Sequence, residues 1–149
     1  MTLALRHLRN EDAAAATTLY QTLSKDNAVA DAGAFERLIL HPGTSVTGAF
    51  DESVLTGMAT LHILPNMTYG GRPYGLVENV VTQAARRGQG IGTLVLEHVI
   101  NAAWQAGAYK IMLQTGRARG ALRFYEGLGF SRAEKHGMIL RRVPARTPV

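Results

Sequence analysis

Eight consecutive residues, Arg86-Arg87-Gly88-Gln89-Gly90-Ile91-Gly92-Thr93, combine two cations with three alternating glycines. The apolar positions that follow, Ile91, Leu94, Val95, Val99, Ala102 and Ala103, recur at helical spacing, so the glycines fall at the start of a helix. A helix N-terminus presents backbone N–H groups without intrahelical partners, and its macrodipole adds partial positive charge. Glycine removes the side chains that would keep an anion away from those groups. With Arg86 and Arg87 at the mouth, the pattern suits a pyrophosphate-bearing ligand; on residues alone, a glycine-rich turn with no ligand stays open. Two nucleotide patterns fail on spacing. The P-loop needs Gly-Lys before its Ser/Thr, and here Gly92 precedes Thr93 with no lysine. The dinucleotide fingerprint needs a third glycine where Thr93 stands.

The elements that must position this turn can be read from periodicity and punctuation. Leu3 to Leu8 alternates like an opening strand. Asn10 is a candidate N-cap for an alanine-rich helix reaching about Leu23. A second helix spans Ala32 to Leu40, halted by His41-Pro42-Gly43. Strands follow at Thr44 to Phe50 and Val54 to Leu64, joined through Asp51-Glu52-Ser53, and a loop occupies Pro65 to Pro73. Tyr74 to Thr82 reads as a strand leading into the glycine turn, and Gly107 ends the long helix after Ala106. Tyr109 to Gln114 is a further strand, Ala118 to Gly127 a helix, and Phe130 to Arg141 a closing pair of short strands. The expected architecture is one α/β domain of the α+β kind over residues 1–143 with a tail at 144–149. Its mixed, mostly antiparallel sheet has six to seven strands and about four flanking helices.

Composition narrows the function. The 149 residues suffice for one domain, and 46% hydrophobic with 18% charged residues is a globular balance. No cysteine is present, which excludes disulfides, thiolate metal sites and a cysteine nucleophile; no metal ligand set is expected. Residues Met1 to Asn10 carry two arginines and no long apolar core, unlike a signal peptide, and no apolar run approaches the 18 or so residues of a spanning helix. A soluble, cytoplasmic protein without a membrane partner is therefore expected. The net charge of +5 invites a nucleic-acid reading, but only Lys25, Lys110 and Lys135 of the 16 basic residues are lysines, and the arginines are scattered along the chain. Nucleic acid is not an expected partner.

The run Arg87-Gly88-Gln89-Gly90-Ile91-Gly92 resembles the Arg/Gln-x-x-Gly-x-Gly/Ala signature of the GNAT superfamily of acetyl-CoA-dependent N-acetyltransferases. Val77-Glu78-Asn79-Val80-Val81-Thr82 resembles that family's central strand, and Ala121 to Phe130 its closing signature around a tyrosine and Gly-Phe. The resemblance covers nearly the whole chain. Glu78-Asn79-Val80-Val81 with Tyr109-Lys110-Ile111-Met112-Leu113 is further similar to the glucosamine-phosphate N-acetyltransferases, which carry an aspartate where this chain has Asn79.

The resemblance implies acetyl-CoA as cofactor, its phosphates held by Arg86, Arg87, Gly88, Gln89, Gly90, Ile91, Gly92 and Thr93 and its pantetheine arm beside Val80, Val81 and Thr82. It assigns Tyr125 as the proton donor to the leaving thiolate; an unperturbed tyrosine titrates near pH 10 and is a donor at neutral pH. Glu78, just before the cofactor segment, is the candidate base for the attacking amine; His62, His98 and His136 are weaker candidates. Backbone N–H groups near Val80 or Val81 are candidates for the oxyanion. Many relatives place an asparagine seven residues before the tyrosine, where this chain has Ala118, leaving Thr115 and Arg117 as substitutes. Acceptor specificity should reside in Asp26 to Leu40 and Leu64 to Tyr74, with Tyr69, Arg72, Tyr74 and Asn79 as candidate substrate contacts. The expected acceptor is a primary amine on a small molecule, attacked directly in a ternary complex. A protein or peptide amine, and a non-catalytic acyl-CoA-binding module, remain as alternatives. Dimerisation, common in the family, makes a homodimer the implied assembly.

Overall fold

The computed structural model describes residues 2–23 and 29–145. Strand β1 (Leu3–His7) is followed by a 3-10 turn at Asn10–Asp12 and helix α1 (Ala13–Gln21). Then come α2 (Ala32–Leu40), β2 (Thr44–Asp51), β3 (Val54–Leu64), β4 (Tyr74–Thr82), α3 (Ile91–Gln105), β5 (Ile111–Leu113) and α4 (Leu122–Gly127). The strands form one sheet in chain order, antiparallel from β1 to β4 and parallel between β4 and β5. The expected mixed, mostly antiparallel sheet is present, with five strands instead of six to seven. The shortfall lies at Phe130 to Arg141, where no strand forms among the described residues; Met138 and Leu140 there stand fully in solvent. The apolar run Met138-Ile139-Leu140 looks strand-like in sequence, but it meets no ladder partner among the described residues.

Alternation along β3 sorts the core into two layers. Met58 faces α1 and α2, joining Leu19, Phe35, Val46 and Val81. Ala59 and Leu61 face α3, joining Val77, Ile91, Val95, Leu96 and Val99. Period two in the strand and 3.6 in the helix each supply one apolar face. Burying each of these larger aliphatic chains contributes about 1.5–3 kcal/mol before entropy is counted.

Two local expectations are corrected. Asn10 does not cap α1. It opens the 3-10 turn, and the Asp12 carboxylate accepts from the Arg9 backbone N–H at 2.7 Å. The same carboxylate takes two bonds from the Arg6 guanidinium, at 2.7 and 2.9 Å, so Asp12 ties β1 to the start of α1. The helix expected from Ala118 begins only at Leu122, because Arg117–Arg119 form a 3-10 turn closed by Gly120 at φ 67°. Asp31 caps α2, its carboxylate accepting from Ala34 N at 2.9 Å.

Gly43, just before β2, sits at φ 77°, and a Cβ there would lie 2.6 Å from the Ile63 carbonyl oxygen. That carbonyl is backbone and cannot swing aside. Gly43→Ala is expected to lower unfolding free energy by about 1–3 kcal/mol in urea titrations. The Arg6 hydrogen bonds hold the Asp12 carboxyl below the ordinary carboxylate range against the opposing effect of burial. Because its folded pKa is depressed, the stabilisation is present above about pH 4 and is lost as pH falls through the folded value. Thermal melts should show a steeper acid-side loss for the wild type than for Asp12→Asn.

Candidate active site

The site is organised by one extra residue in β4. Met58 pairs with Val81 and Thr60 with Glu78, so across the shift one residue of β3, Ala59, stands against two of β4, Asn79 and Val80. Asn79 takes φ 51° there, a left-handed conformation that asparagine tolerates better than most residues. The insertion reverses the phase of the strand. Val77 packs toward α3 while Val81, four residues on, packs toward α1 and α2. A regular strand would put both on one face.

On its other side β4 pairs with β5 only at Gly75, Leu76 and Val77. From Glu78 to Thr82 no strand of the described residues covers that edge. The backbone of Val80, Val81 and Thr82 is therefore a short open edge able to hydrogen-bond an extended chain.

Beyond Thr82 the chain is pinned before it turns. Gln83 donates its backbone N–H to the Thr56 carbonyl at 2.8 Å and its side-chain amide to the Leu55 carbonyl at 2.9 Å. Arg86, in the following 3-10 turn, pairs through its guanidinium with the Asp51 carboxylate. Its side chain thus anchors the turn to the β2–β3 hairpin, which sequence reasoning had assigned to the phosphates. Arg87 is exposed at the mouth, with Gln89 beside it. Gly88 and Gly90 take φ 76° and 79°, and Gly90 occupies the N-cap position of α3 without any side-chain cap. The N–H groups of Ile91, Gly92 and Thr93 thus open the 15-residue helix with no capping side chain. A Cβ on Gly92 would lie 3.3 Å from Phe124 Cζ and 3.6 Å from Thr82 Oγ1, so the helix start, the end of β4 and α4 converge at this point.

Tyr125, on α4, is half-buried against the α3-side core and meets Phe124 and Phe130 edge-on at 5.1 and 6.1 Å between ring centroids. Burial pushes its hydroxyl above the ordinary tyrosine value, partly offset by the charge of Arg119. The phenol therefore keeps its proton at neutral pH. Arg119 also donates to the Leu23 carbonyl beyond the end of α1, linking the turn before α4 to the α1 side of the sheet. Ala118 lies exposed in that turn, with Arg117 beside it and Thr115 half-buried just before.

On the α1/α2 face, next to the bulge, lies a cavity of about 210 Å³. Asn79 reaches it from β4, Tyr20 and Leu23 from the α1 side, and Phe35 and Leu38 from α2. Burial raises the Tyr20 hydroxyl pKa, an effect eased by Thr60. Glu78 is exposed on β4 opposite Thr60, adjoining Asn79. Of the sequence-derived acceptor contacts only Asn79 belongs to the cavity. Tyr69 stacks on Tyr109 at 4.1 Å, and Tyr74 lies beside the Lys110 ammonium, 5.5 Å from its ring centroid. Tyr69 lies in a 3-10 turn before β4 and Tyr74 is the strand's first residue, where five residues of strand put it about 16 Å from Asn79. Arg72 belongs to the same exposed loop end. His62 Nδ1 lies 2.8 Å from Thr44 Oγ1 and is held there; His98 lies on α3, and His136 is exposed in the C-terminal segment. Tyr20 and Phe35 escaped sequence reading because their helical spacing is that of ordinary core residues. Of the segment Asp26 to Leu40, expected to carry acceptor specificity, residues 29–40 contribute to the cavity lining and residues 26–28 lie outside the described residues.

Comparison with known proteins places the chain in a family. The profile of the acetyltransferase (GNAT) family matches residues 3–130. A Trypanosoma brucei brucei protein named glucosamine 6-phosphate N-acetyltransferase is 36% identical over 81 residues, which is 54% of this chain and 54% of that protein. A rice protein named as a glucosamine 6-phosphate N-acetyltransferase 2 is 37% identical over 44% of this chain and 39% of its own length. The matched stretches thus span about half or less of these relatives. Among solved structures, an Agrobacterium tumefaciens C58 protein described as an acetyltransferase superposes with a TM-score of 0.87 at 37% identity, over 93% of this chain and 99% of the other. The chain belongs to the GNAT family of acetyltransferases.

Proposed function

We propose that this protein transfers the acetyl group of acetyl-CoA to a primary amine on a small molecule, by direct attack in a ternary complex. The observation that carries the reading is the continuous path from the open β4 edge at Val80–Thr82 to the uncapped, glycine-lined start of α3. When bound, acetyl-CoA supplies an activated thioester. The backbone of Val80, Val81 and Thr82 would bind its arm as an added strand. The N–H groups from Gly88 to Thr93 would hold the pyrophosphate, with Arg87 adding charge and Arg86 keeping the turn in place through Asp51. An N–H of the bulged segment would donate to the thioester carbonyl oxygen as it gains charge. Tyr125 would hold the proton that the departing sulfur takes. Its burial keeps that proton in place through the neutral range.

Glu78 is the proposed base for the amine, directly or through water. It is exposed, adjoins Asn79, and lies on the strand face shared with the cavity. The cavity beside Asn79 is the proposed acceptor site. Relatives named for glucosamine 6-phosphate acetylation make that aminosugar phosphate a natural first acceptor to assay.

Calorimetry of the folded protein with acetyl-CoA is the primary test: specific binding is expected, and its absence would remove the reading. Gly90→Val should weaken that binding at least tenfold and lower the unfolding free energy by about 1–3 kcal/mol, so binding is measured below the variant's melting temperature. Nothing lies within 4 Å of a Cβ at this position, so the cost is local backbone strain at φ 79°. Normal binding by the folded variant would move the phosphate site elsewhere. Tyr125→Phe should lower kcat by about 10²–10⁴-fold while leaving acetyl-CoA affinity within twofold. An unchanged kcat, with chemistry rate-limiting, would take the proton-donor role from Tyr125.

A further inference from the structure

Helix α4 carries Tyr125 but is poorly fixed by its own residues. It has six residues, and Ala121 opens it without a side-chain cap. A helix this short is marginal alone, so its position is set by attachments to the rest of the fold. Tyr125 and Leu128 supply one attachment, packing on the α3-side core. The second comes from Arg119, in the 3-10 turn that Gly120 closes at φ 67°. The Arg119 backbone N–H returns to the Gly116 carbonyl at 3.0 Å, and its stem lies over Gly116, where a Cβ would come 3.7 Å from Cγ. Its guanidinium then donates to the Leu23 carbonyl, 96 positions away in sequence. Leu23 follows α1, is buried, and lines the cavity proposed for the acceptor. A carbonyl at the end of a helix lies at the negative pole of its dipole, which suits a guanidinium partner.

One side chain thus joins the turn before the proposed proton donor to a wall of the proposed acceptor site. It also brings a charge to Tyr125. Among the described residues, the Arg119 cation lowers the phenol pKa that burial raises. Other ionisable groups stand on the elements around Tyr125. Glu126 pairs with Arg132 at 3.1 Å, and Glu97 lines the groove between α3 and α4. Glu78, His98, Arg117 and Arg123 belong to the same surrounding elements.

An acid in the leaving step must release its proton readily, and burial alone works against that. When the C–S bond breaks, its electron pair goes to sulfur. The Tyr125 hydroxyl gives its proton to that sulfur and is left as a phenolate, which water reprotonates afterwards. A fixed cation favours the phenolate and so eases the transfer.

We propose that Arg119 is a positioning residue for acetyl transfer, holding the turn before α4 against the end of α1 and keeping a cation beside Tyr125. The proposal rests on the acetyl-CoA-dependent reading above and adds a residue that acts through Tyr125.

The test uses the full chain, with thermal melts and acetyl-CoA calorimetry showing that each variant folds and binds. Arg119→Met keeps the stem and removes both the charge and the donor. With glucosamine 6-phosphate as acceptor it should lower kcat about three- to tenfold, the effect of one partly solvated charge, and leave KM for acetyl-CoA within about twofold. Arg119→Lys should recover most of that loss. In the Tyr125→Phe background, Arg119→Met should change kcat by less than about twofold, because a residue acting through Tyr125 has nothing left to act on. An equal loss in both backgrounds would overturn the proposal. A second readout needs no acceptor: ultraviolet titration of the Tyr125 phenol, taken as the difference between chains with and without Tyr125→Phe. Loss of the cation should move that titration to higher pH, and an unmoved titration would overturn the proposal whatever the turnover. Should Arg119→Met not fold, Arg119→Gln, which keeps a donor without the charge, takes its place with the same expected directions. Failure of the wild type to bind acetyl-CoA, or full activity of Tyr125→Phe, would instead remove the donor reading beneath it.

Discussion

A β-strand with both faces buried must keep its phase, since a slip of one residue exchanges its two sides. Strand β4 changes phase by design: up to Glu78 it presents Val77 to α3, and after the bulge it presents Val81 to α1 and α2. Both core layers depend on that single inserted residue. So does the site, because the same irregularity coincides with the point where β5 stops pairing and one edge of β4 opens. Asn79 is the residue that absorbs the left-handed backbone, and it also lines the cavity on the α1/α2 face. A β-branched residue at that position would strain the turn and remove the Asn79 amide from the cavity wall together.

The glycine turn inherits its placement from the same strand. An anion-binding helix start is useful only if it is held still relative to the reacting end of the ligand. Here the hold is supplied by side chains that point away from the proposed phosphate position. Gln83 bonds twice to the β3 end of the hairpin, and Arg86 reaches back to Asp51. The two arginines of the motif therefore do different work. Arg86 is a strut whose charge is largely used by a carboxylate, and Arg87 is the exposed cation of the pair. A count of basic residues near the turn overstates the field available to a phosphate.

Much of this was legible from residue order. The bounds of α2, β3 and β4 follow directly from apolar periodicity between Pro, Gly and Asp punctuation, and the glycine turn could be placed at a helix start from spacing alone. What was not legible depended on tertiary partners. Phe130 to Arg141 has strand-like residues, but a strand needs a ladder, and none is provided in this chain among the described residues. Asn10 looked like a cap because Asn often is one, yet Asp12 took the local N–H through its ties to Arg6 and Arg9. Tyr69 and Tyr74 looked like acceptor contacts because they flank a loop, and only the register of β4 shows how far they lie from the bulge.

These successes and failures divide along a physical line. The proposed donor site is built from residues 80–93, contiguous in sequence, and it works mainly through backbone groups whose geometry follows from strand, turn and helix start. Such a site is carried by a motif and survives wide divergence in side chains. The cavity proposed for the acceptor is assembled, among the described residues, from α1, α2, the chain between them and a single residue of β4, more than fifty positions apart at its extremes. It works through side-chain volume and charge, which no local pattern encodes. Membership of the family therefore transfers the first site far more securely than the second, and a relative's named acceptor carries weight here only so far as its cavity residues match.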